Sequence, residues 1–349
     1  MNTDPKATVF GRTRPPNDQW LRRAATEEVL EPELGIIDPH MHFWDRAGHR
    51  YLVEDYARDV NESGHDIQAI VSIECGAMYR ACGPEHLMCV GETEFAVGMA
   101  AMADAGQYVT SRVAGIVGYA DLTLGDLTRE TLDAHVRASN GRFRGVRQSA
   151  KWDADPMVRG PGGASRSGLY LVPAFGKGID LLASMGLPFD ASVFHPQIPD
   201  VTALARAHPD ANIVLIHSGT PVGHSSYAGC ETQVHARWRT DMKTLSKCPN
   251  VSVKLGGILM HLANFDFSIA PAPPSSKQLA ELWRPYIEPI VEFFGASRCM
   301  ASSNFPVDKA GFSYRTIWNM YKRIMAQCSD DEKALIFAGT AARVYKLTN

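Results

Sequence analysis

Two histidines with one residue between them, His40 and His42, follow the mostly apolar segment 34–39. Alternate residues of a β-strand point to the same face, so both imidazoles are expected on one side of the strand. Imidazoles placed in this way can bind one metal cation or one anionic substrate. The pair predicts either a functional site at the carboxyl end of an early strand or two structural histidines.

Other side chains that could do chemistry stand at or just after the ends of apolar segments. They are Glu74, Arg147, Asp190, His195, His217, Lys254 and Asn304, and Tyr227 lies in the loop that follows the sixth segment. Several neutral imidazoles form a site for Zn, Mn or Fe, and cationic side chains hold a carboxylate. Each residue also has a structural alternative, such as a buried ion pair. The remaining histidines are interpreted as surface residues: His49, His65, His86, His135, His208, His235 and His261.

Eight short apolar segments, bounded by Gly, Pro and Asn, are predicted as strands. They are 35–40, 67–74, 112–119, 143–149, 187–194, 212–217, 251–255 and 298–303. Amphipathic segments between them predict helices at 91–105, 127–138, 177–185, 200–207, 231–245 and 277–294. Repeated alternation of strand and helix is typical of a (β/α)8 TIM barrel, whose active site lies at the carboxyl ends of the strands. A doubly wound open sheet is the alternative, but no GxGxxG motif follows the first strand.

The polar, proline-containing residues 1–33 predict an extended N-terminal arm that wraps the domain or a neighbouring subunit. Residues 34–349 predict a single α/β barrel domain, because no linker divides them. The proline-rich stretch 256–276 is a candidate lid over the seventh strand.

Composition narrows the possible partners. The net charge of −3 gives no basic excess for nucleic acid, and no apolar run is long enough to span a membrane. Seven cysteines without close CxxC pairs indicate reduced thiols, and the first residues lack the apolar core of a signal peptide. We therefore expect a cytoplasmic protein, and the arginine and lysine at the strand ends predict that it binds a small carboxylate-bearing molecule.

Five segments together resemble the amidohydrolase superfamily, in the branch of TIM-barrel hydrolases related to 2-pyrone-4,6-dicarboxylate lactonase and sugar lactonases. They are IIDPHMHFWD (36–45), RFRGVRQSA (142–150), IVLIHSGTP (213–221), CMASSNFPVDK (299–309) and FAGTAARVYKL (337–347). The resemblance implies a distorted barrel with a site built from His40, His42, His217 and a last-strand aspartate. It also implies that Arg147 holds a substrate carboxylate. Because the branch includes metal-independent enzymes, both a divalent metal (Zn, Mn or Fe) on the three histidines and a metal-free site are open.

The last strand departs from this family pattern. Relatives usually carry Ser-Asp-Trp-Pro, whereas this chain has Asn304 in place of the aspartate. An amide has no usable proton affinity near neutral pH and is a weak metal ligand. Another base is therefore required, and Glu74, Asp190, a histidine or a metal-bound hydroxide could serve. Asp308 is not expected to take the vacated place, because it lies two residues beyond a proline.

The resulting hypothesis is a hydrolase that opens a small, carboxylate-bearing cyclic ester, or lactone, by attack of water. The expected catalytic residues are His40, His42, His217, Asn304 and Glu74, and the expected substrate-binding residues are Arg147, Lys254, His195 and Tyr227. Two alternatives are a metal-dependent decarboxylase or oxygenase on the same barrel, and a non-catalytic subunit that supports an active paralogue. The N-terminal arm favours a homo-oligomer or an assembly with a related chain.

Overall fold

The computed structural model describes residues 14–160, 164–257, 267 and 270–347. Within these ranges the strands are β1 (Ile36–Met41), β2 (Trp44–Arg46), β3 (His49–Tyr51), β4 (Ile67–Ile73), β5 (Arg112–Gly118), β6 (Phe143–Ser149), β7 (Phe189–Ser192), β8 (Ile213–Leu215), β9 (Val251–Lys254) and β10 (Cys299–Met300). The helices are α1 (Asp18–Leu21), α2 (Val53–Ser63), α3 (Val90–Asp104), α4 (Asp126–Ala138), α5 (Pro156–Arg159), α6 (Pro173–Ser184), α7 (Ile198–Ala207), α8 (Glu231–Leu245), α9 (Ser276–Phe294), α10 (Tyr314–Ile324), α11 (Asp330–Ala334) and α12 (Thr340–Val344).

Eight of the strands form one parallel sheet in the order β1-β4-β5-β6-β7-β8-β9-β10, and β2 pairs with β3 in a separate hairpin. The two ends of this order meet through a parallel bridge between Met41 and Phe305. There the His42 N–H donates to the Phe305 carbonyl at 2.8 Å, and the Asn304 N–H donates to the His40 carbonyl at 3.0 Å. The sheet is thus nearly closed, which confirms the predicted TIM barrel and excludes the open doubly wound sheet.

Local sequence explains why these elements form. Strands β1, β7, β8, β9 and β10 are buried at every residue, as expected for parallel strands covered on both faces. Helices α9 and α10 begin after Ser275 and Ser313, whose side chains accept hydrogen bonds from the backbone N–H groups of Gln278 and Thr316. These caps fix where the last two long helices start.

The eight predicted strands and the six predicted helices are all present, with ends that differ by a few residues. The apolar pattern does not anticipate the β2–β3 hairpin, α2 or the helices after β10. Within the described ranges, no helix is both long enough and apolar enough to cross a bilayer. A cytoplasmic location stays a prediction.

The described part of the N-terminal arm contacts the barrel of its own chain. The Ser276 N–H at the start of α9 donates to the Glu27 carboxylate at 2.6 Å, and the Lys322 ammonium on α10 donates to the Glu31 carbonyl at 2.7 Å. The domain boundary at residue 34 and contact with a neighbouring subunit stay predictions. Most of the candidate lid, together with His261, lies outside the described residues.

The interpretation of the remaining histidines as surface residues is wrong for His49, His65 and His135, which are buried. The His135 ring donates through Nε2 to the Tyr119 carbonyl and accepts at Nδ1 from the Thr93 hydroxyl, both at 2.8 Å. A neutral imidazole satisfied in this way is stable in a core. Three others are half-buried: His86, His208 and His235.

Asp38 on β1 forms hydrogen bonds with residues that follow β10, the strand at the other end of the sheet. Its carboxylate accepts hydrogen bonds from the Ser303 N–H at 3.0 Å, the Ser303 hydroxyl, the Tyr314 hydroxyl at 2.8 Å and the His40 N–H at 3.2 Å. Burial raises the pKa of Asp38, and these hydrogen bonds oppose that rise. One carboxylate therefore connects β1, the segment after β10, and α10.

Replacing Asp38 with Ala should lower the free energy of unfolding by about 3 kcal/mol, because buried donors on Ser303 and Tyr314 lose their acceptor. Urea unfolding of the variant and the wild type measures the difference. The control is Asp210→Ala, at an exposed aspartate, for which a change within about 0.5 kcal/mol is expected. Equal stability of the Asp38 variant and the wild type would contradict the role of this carboxylate.

Replacing His135 with Gln should make stability less dependent on pH. Burial lowers the pKa of His135 from 6.5 to about 4, so the unfolded chain takes up this proton first as the pH falls. The native state then loses up to about 1.4 kcal/mol per pH unit between these two values. Urea unfolding at about pH 7, 6 and 5 measures the slope. A variant slope as steep as that of the wild type would show that His135 does not contribute.

Candidate active site

Three imidazoles converge at the carboxyl ends of the barrel strands. The ring centroid of His40 lies 5.0 Å from that of His42 and 4.4 Å from that of His217. All three side chains are buried. The sequence predicts that these histidines meet, and the structure brings them together.

The backbone after β8 is shaped to present His217. Residues His217, Ser218 and Thr220 all have positive φ angles, between 43° and 54°, a conformation that non-glycine residues adopt rarely. Gly257 faces this turn, and a Cβ atom there would lie 1.9 Å from His217 Nδ1. Only glycine therefore leaves room for the imidazole at this position.

His42 has a defined tautomer. Its Nδ1 lies 2.8 Å from the Ile73 carbonyl, which can only accept, so Nδ1 carries the proton and Nε2 keeps its lone pair. Burial and the charge of Arg147 lower the pKa of His42 to about 3, and hydrogen bonds to Ile73 and Asn304 oppose this. His42 is therefore neutral near neutral pH.

His40 lies between two cations. Its Nδ1 is 3.5 Å from the Lys254 ammonium, and its Nε2 is 3.5 Å from Nη1 of Arg147. Burial, His217 and the positive charge of Lys254 hold the pKa of His40 well below its usual value. Burial and the charges of Lys151 and Arg147 do the same for the pKa of His217. All three imidazoles are thus neutral, and each lies close to positively charged side chains.

Each cation is held by a carboxylate from a neighbouring part of the barrel. Arg147 donates from Nε to Glu74 Oε1 at 2.6 Å, and its Nη2 donates to the Glu74 carbonyl. Lys254 donates to Asp190 Oδ2 at 2.7 Å, and the Tyr345 hydroxyl donates to Asp190 Oδ1 at 2.6 Å. Arg147 and Lys254 therefore each form an ion pair beside the imidazoles, which is the structural alternative to a substrate-binding role.

Asn304 contacts both His42 and an acid. It forms a side-chain hydrogen bond with His42, and its Nδ2 lies 3.0 Å from Asp308 Oδ1. Asp308 is buried, and burial raises its pKa to about 8. Asp308 does not occupy the position of the missing aspartate, in agreement with the sequence analysis. It lies directly behind Asn304, a placement that the sequence does not reveal.

His195 and Tyr227 lie together in a second cluster. Their rings meet edge to face at 5.1 Å, the Val222 N–H donates to His195 Nδ1 at 3.3 Å, and the Tyr227 hydroxyl donates to Asp153 at 2.8 Å. Burial lowers the pKa of His195 to about 4. Their contacts join the loops after β6, β7 and β8, and a substrate-binding role for either residue stays a prediction.

Glu92 and Tyr345 also contact the residues of the site, and neither is among the residues predicted from the sequence. Glu92 on α3 accepts hydrogen bonds from the N–H groups of Cys75 at 2.8 Å and Ala77 at 3.1 Å, which fixes the loop after Glu74. Burial and the charge of Glu74 raise the pKa of Glu92 to about 7. Tyr345 belongs to the closing segment that carries the family resemblance, whereas no sequence pattern marks Glu92.

The donors around the imidazoles do not fit a divalent metal well. Among the residues that the structure describes, no three His, Cys, Asp or Glu side chains are placed to hold a metal ion. Both ring nitrogens of His40 face cations, and residue 304 is an uncharged amide. A metal needs deprotonated ligand nitrogens, and nearby cations repel it. Metal binding by His40, His42 and His217 stays a prediction.

Comparisons with known proteins agree with this architecture. A family model described as Amidohydrolase matches residues 37–347. The chain is 31% identical to an uncharacterized protein of Sinorhizobium fredii over 90% of this chain and 99% of that protein. It is 26% identical to an L-fucono-1,5-lactonase of Burkholderia ambifaria over 89% of this chain and 95% of that protein.

Solved structures share the fold at lower identity. An amidohydrolase from Burkholderia multivorans with bound Zn has a TM-score of 0.68 at 24% identity, covering 90% of this chain and 99% of that one. A putative 2-pyrone-4,6-dicarboxylic acid hydrolase from Pseudomonas putida has a TM-score of 0.59 at 15% identity, covering 90% and 99%. Both are similar to this chain along nearly their whole length.

Replacing Asp190 with Asn should destabilise the protein by about 3 kcal/mol, because the ammonium of Lys254 remains buried without a counter-charge. Adding Lys254→Met should recover most of this loss, since the double variant buries no charge and keeps an acceptor for Tyr345. Urea unfolding measures all three proteins. The control is Glu288→Gln, in an exposed pair with Arg284, where a change within about 0.5 kcal/mol is expected. No recovery in the double variant would contradict an ion pair between the two side chains.

Proposed function

The chain belongs to the amidohydrolase family and is an enzyme of the hydrolase type, and we propose that it hydrolyses a small lactone that carries a carboxylate. The observation that carries this proposal is the convergence of three neutral imidazoles beside the cations of Arg147 and Lys254. Neutral bases next to fixed positive charge suit an anionic substrate that must be attacked by water. The lactonase names of relatives support the same reaction.

Arg147 is the group that would hold the substrate. Its Nε and Nη2 are engaged with Glu74, which fixes the guanidinium plane and leaves Nη1 directed toward His40. A guanidinium held in this way binds an oxygen of a carboxylate or a lactone carbonyl with a charge-assisted hydrogen bond. The buried surroundings strengthen that interaction.

His217 is the imidazole best suited to accept the proton of the attacking water. His42 donates to Ile73 and bonds Asn304, and both nitrogens of His40 face cations. The negative charge of a bound carboxylate would raise the pKa of His217 and make it a stronger base. The water oxygen bonds to the carbonyl carbon, the ester C–O bond breaks, and protonated His217 returns its proton to the leaving oxygen.

Asn304 and Glu74 have supporting roles in this scheme. The Asn304 amide can hydrogen-bond the water or the carbonyl oxygen without adding charge. Glu74 holds Arg147 in place and is not free to act as the base. The relatives named as lactonases favour hydrolysis over a decarboxylase, an oxygenase or a non-catalytic subunit. An oligomer with itself or with a related chain stays a prediction.

The test measures the hydrolysis of a panel of lactones by the purified protein. A pH indicator reports the acid that is released. The panel pairs carboxylate-bearing lactones with neutral lactones of the same ring size. Arg147→Lys keeps the charge beside Glu74 but loses the planar fork. We expect it to raise KM for the carboxylate-bearing lactones by about 10- to 100-fold, with a smaller effect on neutral ones.

The control is Arg144→Lys, three residues earlier on the same strand, whose Nη1 donates to the Gly141 and Phe143 carbonyls instead. It should leave KM unchanged. His217→Asn should lower kcat by about 100-fold or more, since general base catalysis is lost. The proposal fails if no lactone in the panel is hydrolysed, or if Arg147→Lys affects both classes of lactone equally.

A further inference from the structure

A single peptide group connects Glu92 to Arg147. The N–H of the peptide between Glu74 and Cys75 donates to Glu92 Oε1 at 2.8 Å, and the carbonyl of the same peptide accepts from Nη2 of Arg147. Arg147 also donates from Nε to the Glu74 carboxylate at 2.6 Å. Because a peptide group is planar, its N–H and its carbonyl cannot turn independently. Glu92 therefore fixes the direction of one of the acceptors that hold the guanidinium.

The next two residues of the loop also donate to Glu92. The Ala77 N–H donates to Oε1 at 3.1 Å, and the Gly76 N–H donates to Oε2 at 3.3 Å. Gly76 has a φ angle of 71°, which glycine adopts without strain. Successive N–H groups that converge in such a turn form a concave site for an anion. Three backbone donors of the loop are thus directed at one buried carboxylate.

Arg46 holds the same loop from the carbonyl side. Its Nη2 donates to the Cys75 carbonyl at 2.7 Å, and its guanidinium lies 4.3 Å from the centre of the Trp44 ring. The N–H of this second peptide is the Gly76 N–H, which donates to Glu92. Two consecutive peptide groups are therefore each held between Glu92 and an arginine, so a change at Glu92 displaces both.

Glu92 changes its charge close to neutral pH. Glu92 and Glu74 line the same small cavity, and burial together with the charge of Glu74 raises the pKa of Glu92 to about 7. The other ionisable groups that face Glu92 are those of Arg46, Cys75, Tyr79 and Cys89. Burial raises the pKa of both thiols and of the phenol, so these three groups are neutral near pH 7. A protonated carboxyl carries an O–H donor, so it accepts poorly from three N–H groups at once.

We propose that Glu92 is a positioning residue that, as a carboxylate, orients the guanidinium of Arg147 through the Glu74–Cys75 peptide and so sets the affinity of the site for an anionic substrate. The inference rests on the proposed function only for the role of Arg147 in binding that substrate. Glu74 bonds the guanidinium directly, whereas Glu92 acts through the backbone. Hydrogen bonds linked in this way polarise and strengthen one another.

Neutralising Glu92 has two opposite effects on the binding of an anion. Removing a buried negative charge strengthens the attraction of the site for an anion. Releasing the loop misplaces Arg147, which weakens binding. Gln at position 92 cannot replace the carboxylate, because its N–H₂ end faces an N–H of the loop. A rise in KM after this substitution therefore reports positioning, since the lost charge acts in the other direction.

The kinetic test uses Glu92→Gln and the carboxylate-bearing lactones. We expect KM to rise about 5-fold or more and kcat to stay within about 2-fold of the wild type. In the wild type, KM should rise as the pH falls from about 8 to about 6, because Glu92 takes up a proton. In Glu92→Gln, KM should stay high across this range. A loss of folded protein would lower kcat and leave KM unchanged.

The second readout is NMR of protein labelled with 15N-arginine, which needs no turnover. Arg147→Lys identifies the Arg147 Nε–H signal by its loss. We expect this signal to shift in the wild type with a midpoint near pH 7, where Glu92 titrates, and to be independent of pH in Glu92→Gln. The wild-type titration requires no variant at position 92, so it tests the inference even if Glu92→Gln does not fold.

The matched control is Glu94→Gln, two residues later on α3, which removes the same charge. Its carboxylate accepts from Nε of Arg80 at 3.2 Å instead of from the loop, so KM and the Arg147 signal should not change. A KM that does not rise in Glu92→Gln, or an Arg147 signal that stays constant in the wild type between about pH 6 and 8, would overturn the inference. An Arg147 signal that titrates in a protein that hydrolyses no lactone would reject the proposed function alone.

Discussion

Asp38 connects the first strand of the barrel to the segment after the last one, and the positions of His40, His42 and Asn304 relative to one another depend on this connection. The parallel order of strands ends at β1 and β10, and β10 is only two residues long. Hydrogen bonds from Ser303 and Tyr314 to Asp38, with the bridge from Met41 to Phe305, replace the missing ladder. The carboxyl end of β1 is thereby placed against Asn304, which brings His42 into contact with that amide.

Charge is arranged around the imidazoles in a consistent way. Two cations reach His40, and each is paired with a carboxylate, Glu74 for Arg147 and Asp190 for Lys254. Burying an ion pair costs desolvation energy that the attraction between its charges only partly offsets. Two such pairs beside one imidazole are therefore expected to add little to the stability of the fold. Under the proposed function, the pair with Glu74 holds Arg147 as a fixed donor in a low-dielectric space, where it would act strongly on an incoming anion.

Much of this site follows from the sequence, because strand periodicity and barrel topology are simple rules. The i, i+2 spacing of His40 and His42, and the place of His217 after a buried strand, are enough to predict that they meet. The burial of His135 and the role of Glu92 could not be predicted. Their partners lie on other elements of the fold, and nothing in the neighbouring sequence distinguishes the two residues from surface residues.

The change from aspartate to Asn304 is best understood together with Asp308. Two carboxylates about 3 Å apart cannot both ionise without strong repulsion, so an acid at position 304 would compete with the one behind it. With an amide at 304, the Asn304 Nδ2–H donates to Asp308 Oδ1 at 3.0 Å, and Asp308 can stay protonated because burial raises its pKa to about 8. The same amide forms a side-chain hydrogen bond with His42, so Asn304 connects Asp308 to the imidazole whose Nδ1–H donates to Ile73. In this arrangement residue 304 orients an imidazole and adds no negative charge to a site that already holds the cations of Arg147 and Lys254.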